Sequence, residues 1–138
     1  MLDLLKSLKE DRGLTYLYIS HDIGIVKSIS DRIAVMYMGR IVEIGKNEDI
    51  TIAGCAHPYT EELLKAAEFI SITGEEDAPS DLEIADIPSM DELPSGCSYH
   101  PRCKRYREAG KPKICAQETP ELKPLDGSLE HKVACWLI

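Results

Sequence analysis

The 138-residue chain carries 16 Lys and Arg against 24 Asp and Glu, a formal net charge of −8, with 43% hydrophobic residues and five cysteines. That apolar content supports a packed core and excludes global disorder, and the charge argues against a surface built for nucleic acid or anionic lipid. No apolar run approaches the roughly 20 residues of a spanning helix. The start reads as a helix and not a signal peptide, so a cytoplasmic, reducing compartment is expected and the cysteines read as thiols or metal ligands before disulfides.

Leu2, Leu4, Leu5 and Leu8 fall at helical spacing and predict an amphipathic helix that stops near Gly13. Leu14 to Ile19 is a β-branched and aromatic run, apolar on both faces, which predicts a buried parallel strand. Ser20, His21 and Asp22 follow with polar groups suited to a helix start, and Ile23, Val26, Ile29 and Ile33 then predict a helix over 22–31. Residues 32–37 read as a strand, Met38-Gly39-Arg40 as its turn and residues 40–45 as the antiparallel partner. A short helix is expected around 47–52. A longer one opens at His57-Pro58, where proline suits a first helical position and Leu63, Leu64 and Ala67 form the apolar stripe.

A strand, a helix and a strand hairpin make an α/β piece with too few strands to cover a sheet, which suggests a fragment or a sheet completed by a second copy. Charge divides the chain further. Residues 1–65 hold eight basic and ten acidic groups, residues 66–101 hold nine acids and no Lys or Arg, and residues 102–138 hold eight basic and five acidic groups. The acidic, proline-bearing stretch over 72–95 reads as a solvated linker between a unit at 1–71 and an irregular Cys-rich one at 96–138.

Cys97, Cys103, Cys115 and Cys135 are spaced C-x5-C, C-x11-C and C-x19-C, while Cys55 stands apart and reads as an ordinary small apolar residue. Four thiolates suit a tetrahedral zinc or a four-iron cluster, and a tail with so few large apolar residues needs such a staple. The spacing lacks the short knuckle usual for zinc, which weakly favours the cluster; disulfides come third. His100 and His131 are candidate stand-in ligands, though with four cysteines present they read more readily as ordinary histidines. Arg102, Lys104, Arg105 and Arg107, interleaved with Tyr99 and Tyr106, could stack on nucleic acid, but compensation of the thiolate charge is the plainer reading and no nucleic-acid partner is expected.

The run Gly13-Leu14-Thr15-Tyr16-Leu17-Tyr18-Ile19-Ser20-His21-Asp22-Ile23 resembles the switch-histidine loop of ABC-transporter ATPase subunits, and residues 31–45 resemble the hairpin that follows it. His57-Pro58-Tyr59-Thr60, Pro94-Ser95-Gly96-Cys97, His100-Pro101-Arg102-Cys103 and Ile114-Cys115 are similar to the C-terminal extension of the oligopeptide/dipeptide importer ATPases. The resemblance implies part of an ABC-ATPase sheet followed by a linker and a Cys-rich extension. It implies that His21 contacts the γ-phosphate in an intact subunit that binds ATP and magnesium; on the residues alone, Ser20, His21 and Asp22 read simply as a cap. It also implies a 4Fe-4S cluster on Cys97, Cys103, Cys115 and Cys135, with zinc as the alternative.

By the same resemblance the partners are membrane-spanning permease subunits, a partner ATPase subunit and an external peptide-binding protein. The place is the cytoplasmic face of the cell membrane, and the isolated chain is expected to be a homo-oligomer. The phosphate loop G-x-x-x-x-G-K-S/T, the signature loop and the Asp-Glu that holds magnesium do not occur in these 138 residues, so the chain looks like the last part of such a subunit and is expected to be inactive alone. The competing reading is a free-standing metal-binding interaction module that dimerises through its N-terminal half.

Overall fold

The computed structural model describes residues 2–73, 93–125 and 127–138. In chain order it has α1 (Leu2–Arg12), α2 (Ile23–Ile29), β1 (Arg32–Tyr37), β2 (Arg40–Lys46), α3 (Pro58–Thr73), α4 (Lys104–Glu108), α5 (Lys113–Gln117), β3 (Lys123–Leu125) and β4 (Ser128–Val133). The strands form one antiparallel sheet in the order β1-β2-β4-β3.

Local chemistry explains the boundaries. Asp22 caps α2 by accepting the Ile25 N–H at 3.0 Å. The β1–β2 turn places Met38 and Gly39 at φ 47° and 74°, the left-handed pair that a two-residue hairpin of this hand requires, and glycine supplies the second at little cost. β1 alternates, with Ile33, Val35 and Tyr37 buried and Arg32, Ala34 and Met36 exposed. Its register with β2 shifts after Val35, so that Val35 faces Glu43 and Met36 faces Ile41. Val42, passed over by that shift, gives its carbonyl to the Ala134 N–H at 2.8 Å, just beyond the end of β4. A bulge on β2 thus accompanies the point where the C-terminal segment leaves the sheet.

The core gathers Ile33, Val35, Tyr37, Val42, Ile50, Leu64, Tyr99 and Cys103, with α2 packed on it through Ile23 and Val26. Each large side chain fully buried there contributes about 2 kcal/mol of transfer energy. Residues 33–64 and residues 99–103 therefore share one core, and β3 and β4 extend the sheet of the β1–β2 hairpin.

Four expectations are corrected. Leu14–Ile19 is not a strand; among the described residues nothing pairs with it, and Leu17 and Ile19 are 91% and 87% exposed. A strand is stabilised by neighbours, and this run has none. Residues 47–52 form turns, not a helix, because Asn47 turns its side-chain amide to the carbonyls of Lys27 and Ser30 at 2.6 and 2.7 Å, tying the segment to the end of α2. Lys27 in return donates to the Ile50 carbonyl. The segment after residue 96 is not irregular, since it contains two short helices and two strands. Nor is the sheet a strand–helix–strand crossover; it is an antiparallel four-stranded sheet. The acidic linker expected over 72–95 lies mostly outside the described residues, at 74–92, while α3 continues through Thr73.

Candidate functional site

Three of the four tail cysteines are placed by hydrogen-bonded turns. Gly96 adopts φ +74°, and a Cβ added there would lie 2.5 Å from the Cys115 carbonyl oxygen, so only glycine lets the chain pass this close. The approach is held by the Cys97 N–H donating to the Cys115 carbonyl at 2.9 Å, by Ser95 Oγ donating to Ala116 O at 2.7 Å and by Thr119 Oγ1 donating to Gly96 O at 3.2 Å. From Cys97 the chain winds through consecutive turns to Cys103, with the N–H of His100, Arg102 and Cys103 each bonded three residues back. The Cys103 sulfur accepts the Tyr106 N–H at 3.3 Å and the Cys135 sulfur accepts the Leu137 N–H at 3.4 Å. Trp136, beside Cys135, donates Nε1 to Glu118 O at 2.9 Å.

The four thiols are electrostatic neighbours. Burial pushes the Cys97, Cys103 and Cys115 thiols up, and the charge that Cys135 would carry as a thiolate pushes all three further; Cys97 also feels Cys103 and Cys115. Burial and mutual charge thus disfavour the thiolate forms of Cys97, Cys103 and Cys115 unless a cation joins them. Yet no three His, Cys, Asp or Glu side chains among the described residues form a group that could hold one metal ion. A tetrahedral zinc would bring its sulfurs to about 3.8 Å from one another. Among the described residues, then, no metal-ion geometry stands behind either zinc or a cluster. The stand-in histidines are also engaged elsewhere: His100 Nδ1 lies 2.9 Å from Cys97 O, and His131 Nε2 lies 2.7 Å from Glu43 Oε1. Four thiols, two of them accepting backbone N–H groups, are the donor type that an iron–sulfur cluster takes. The five cysteines are all free, and Cys55 is raised to about 11 by burial, then by Glu43 and Glu61, as suits an inert thiol.

Sequence reasoning did not find a second constellation, which joins the sheet to α3. Glu43 is fully buried and its carboxylate accepts three donors: the Ala56 N–H at 2.8 Å, the His57 N–H at 3.0 Å and His131 Nε2 at 2.7 Å. A buried carboxylate with three partners avoids the desolvation penalty of an unpaired one. His57 is 1% exposed and caps α3, its Nδ1 accepting the Tyr59 N–H at 3.2 Å just across Pro58. Burial pulls its pKa down to about 4; Glu43 opposes this and Arg105 adds to it. Tyr99, also 1% exposed, wedges against Tyr37, Tyr59 and His57 with ring centroids 5.2, 5.5 and 5.5 Å away. Arg105 ties the far side by donating to the carbonyls of Ala56 and Leu137. The sequence held one signal for this: Glu43 stands between Val42 and Ile44 in an otherwise apolar strand.

His21 occupies an exposed bend between Ser20 and the α2 cap Asp22, and the Asp22 N–H donates to Ser20 Oγ at 3.0 Å. It lies on the N-terminal side of the sheet sequence, apart in the chain from the cysteines. Tyr99, interleaved with the basic residues in sequence, is in the core, and Tyr106 packs edge-on to His100 at 5.2 Å. No described helix is long and apolar enough to cross a membrane.

The family model described as "Oligopeptide/dipeptide transporter, C-terminal region" matches residues 42–109. The chain is 37% identical over 138 residues to the oligopeptide transport ATP-binding protein AppF of Bacillus subtilis, an alignment covering 99% of this chain and 39% of that protein. It is 36% identical over 135 residues to the oligopeptide transport ATP-binding protein OppF of Haemophilus influenzae, covering 98% and 38%. It is 43% identical over 103 residues to the probable D,D-dipeptide transport ATP-binding protein DdpF of Escherichia coli, covering 75% and 32%. The chain thus spans less than two fifths of the length of each of these three relatives.

Proposed function

The chain belongs to the oligopeptide/dipeptide transporter family of ATP-binding proteins, and we infer from that membership that it is the C-terminal portion of the ATP-hydrolysing subunit of a peptide importer. The observation that carries this reading is similarity over nearly the whole chain to relatives named as peptide-transport ATP-binding proteins. In the intact subunit ATP and magnesium bind, and His21 meets the γ-phosphate. An imidazole suits that role because one ring nitrogen can donate to a phosphate oxygen while the other accepts a proton or hydrogen bond. The exposed bend that holds His21, fixed by Ser20 and the Asp22 cap, leaves the ring free for such a contact. Phosphoryl transfer needs a cradle of backbone amides, a Lys and a metal around the phosphates. These 138 residues contain no phosphate loop, so the chain alone does not turn over ATP.

Residues 96–138 form an extension in which Cys97, Cys103, Cys115 and Cys135 hold a 4Fe-4S cluster. When bound, the cluster supplies cross-linking of four chain positions and a redox-active centre. The chain's own contribution is to aim four thiolates from the turn at 97, the α4 cap at 103, α5 at 115 and the turn at 135, with amide donors on two sulfurs. The neighbouring units are two membrane-spanning permease subunits and a partner ATPase subunit, at the cytoplasmic face of the membrane. The isolated chain self-associates through the apolar run Leu14–Ile19. The acidic linker joins residues 1–71 to the Cys-rich residues 96–138, whose strands pair with the β1–β2 hairpin.

Two measurements test this. Anaerobically purified protein should be brown and carry iron with acid-labile sulfide; a colourless protein whose melting temperature is unchanged by chelation overturns the cluster. In the intact subunit, His21→Ala should abolish ATP turnover while ATP still binds. Full turnover in that variant, or turnover by the isolated chain that depends on His21, refutes the assignment.

A further inference from the structure

The turn from Cys97 to Cys103 carries two buried residues between its thiols, Ser98 and the much larger Tyr99. Tyr99 is 1% exposed, lies two residues past Cys97 and four before Cys103, and points into the core of the hairpin. Its ring meets Tyr37 at the end of β1, Tyr59 in the first turn of α3 and the α3 cap His57. Tyr37 and Tyr59 also pack edge-on at 4.7 Å, so the three tyrosines close on one another. The turn itself is stiff, because every N–H from His100 to Cys103 that could slacken it, Pro101 aside, is bonded inside it. A displacement of either thiol is therefore passed to the Tyr99 ring, and from there to β1 and α3.

We propose that Tyr99 is a positioning residue that couples the four-cysteine site to the β1–β2 hairpin and the start of α3, so that loading the site stiffens the hairpin. The proposal rests on the cluster reading above. Coupling of this kind is reciprocal: a ligand that binds only the ordered turn stabilises what the turn is packed on, and loosening the packing weakens the ligand. A second tie exists and is separate. Cys135 lies two residues past β4, which pairs with β2 at Val133 and Lys132, and the Ala134 N–H donates to Val42 O. The Tyr99 path therefore has its signature in β1 and the first turn of α3, while the Cys135 path has its signature at the β2–β4 pairing.

Hydrogen exchange read by peptide separates the two. In the iron-loaded 138-residue chain, removing iron with a ferrous chelator should speed exchange at least about tenfold in peptides covering residues 32–37 and 58–64, and also at 131–134. Tyr99→Leu removes the ring contacts but leaves an apolar group. It should abolish the response at 32–37 and 58–64, keep it at 131–134, and speed iron release to the chelator by about tenfold. Tyr99→Phe keeps the rings and should behave as the parent. If Tyr99→Leu does not fold, Tyr37→Leu cuts the same contact from the β1 side and should give the same pattern. A chain that carries no iron removes the cluster reading and this coupling with it. Iron carried normally, with exchange at 32–37 indifferent to its removal or equally responsive in Tyr99→Leu, overturns the coupling alone.

Discussion

The sharpest quantitative test concerns His57. Its Nδ1 accepts the Tyr59 N–H, so protonation there would replace a hydrogen bond with two opposed donors inside the core. Burial pulls its pKa from the ordinary 6.5 to about 4, with Glu43 resisting and Arg105 assisting. The unfolded chain takes up a proton near 6.5 and the folded chain only near 4, so between those values the unfolded state binds more protons. Stability from this group is fully present above pH 6.5, falls as the pH drops through that window, and levels off below 4. The gap, at about 1.4 kcal/mol per pH unit, comes to about 3 kcal/mol.

The perturbation is His57→Asn, because Asn at a helix N-cap offers an oxygen to the same Tyr59 N–H and keeps the backbone N–H that Glu43 receives at 3.0 Å. Urea unfolding of the iron-free chain at fixed pH between 7 and 4 gives the stability of each protein, and the difference between them cancels carboxylates common to both. Asn removes the imidazole from the core, which adds a constant offset in favour of the parent at pH 7. That advantage should shrink by about 3 kcal/mol on going to pH 4. An advantage that stays flat across this range refutes the claim that a neutral, hydrogen-bonded imidazole is locked in the core.

Three further outcomes follow from the geometry. Glu43→Gln leaves one oxygen and a repelling amide where three donors converge, and should cost about 3 kcal/mol in urea unfolding; a cost under about 1 kcal/mol would show that the carboxylate is not the organising acceptor. Gly96→Ala and Gly39→Ala share φ +74°, but only at 96 would the new Cβ meet backbone, at 2.5 Å from Cys115 O. The first should therefore lower the melting temperature far more than the second and release iron; equal shifts would mean that the 96–115 approach is not tight. Replacing Cys97, Cys103, Cys115 or Cys135 singly by Ser should lose iron, while Cys55→Ser keeps it, as measured by iron analysis. Iron loss on changing Cys55 would break the division of the cysteines.

What the sequence disclosed was what periodicity encodes. α1, α2, the hairpin and α3 each stand within a residue or two of the spans that Leu, Ile and Val spacing, the Gly39 turn and the His57-Pro58 start predict. Pairing between distant segments has no such local trace. Ser128–Val133 is mostly polar and its first three residues are exposed, and nothing in that pattern says that Val133 will face Glu43 across the sheet, 90 positions back. The burial of Tyr99 likewise has no local signal, since its neighbours in sequence are Ser98, His100 and Arg102; it comes from Tyr37, Tyr59 and His57, which lie in other elements. Glu43 was half legible. A carboxylate in an apolar strand announces a partner, but not which one, and here the partners lie on two further segments at once.

The one local pattern that misled, Leu14–Ile19, does so for an instructive reason. Its composition is as strand-like as that of β1, yet β1 has β2 across a two-residue turn, and the apolar run has only helices on either side in the chain. β propensity measures fit to a pleated, half-buried surface, so without a neighbour it stabilises very little. With Leu17 and Ile19 almost fully exposed and no charge between Gly13 and Ser20, the run carries the composition that favours edge pairing. His21 follows directly after it. The position of that histidine is therefore set on one side by the Asp22 cap and on the other by a run still lacking its partner strand. The geometry of the His21 bend should become fixed only when Leu14–Ile19 is paired, and a change such as Leu17→Lys, which opposes pairing without touching the packed core, should loosen His21 while leaving the sheet, the Glu43 cluster and the cysteine site unchanged.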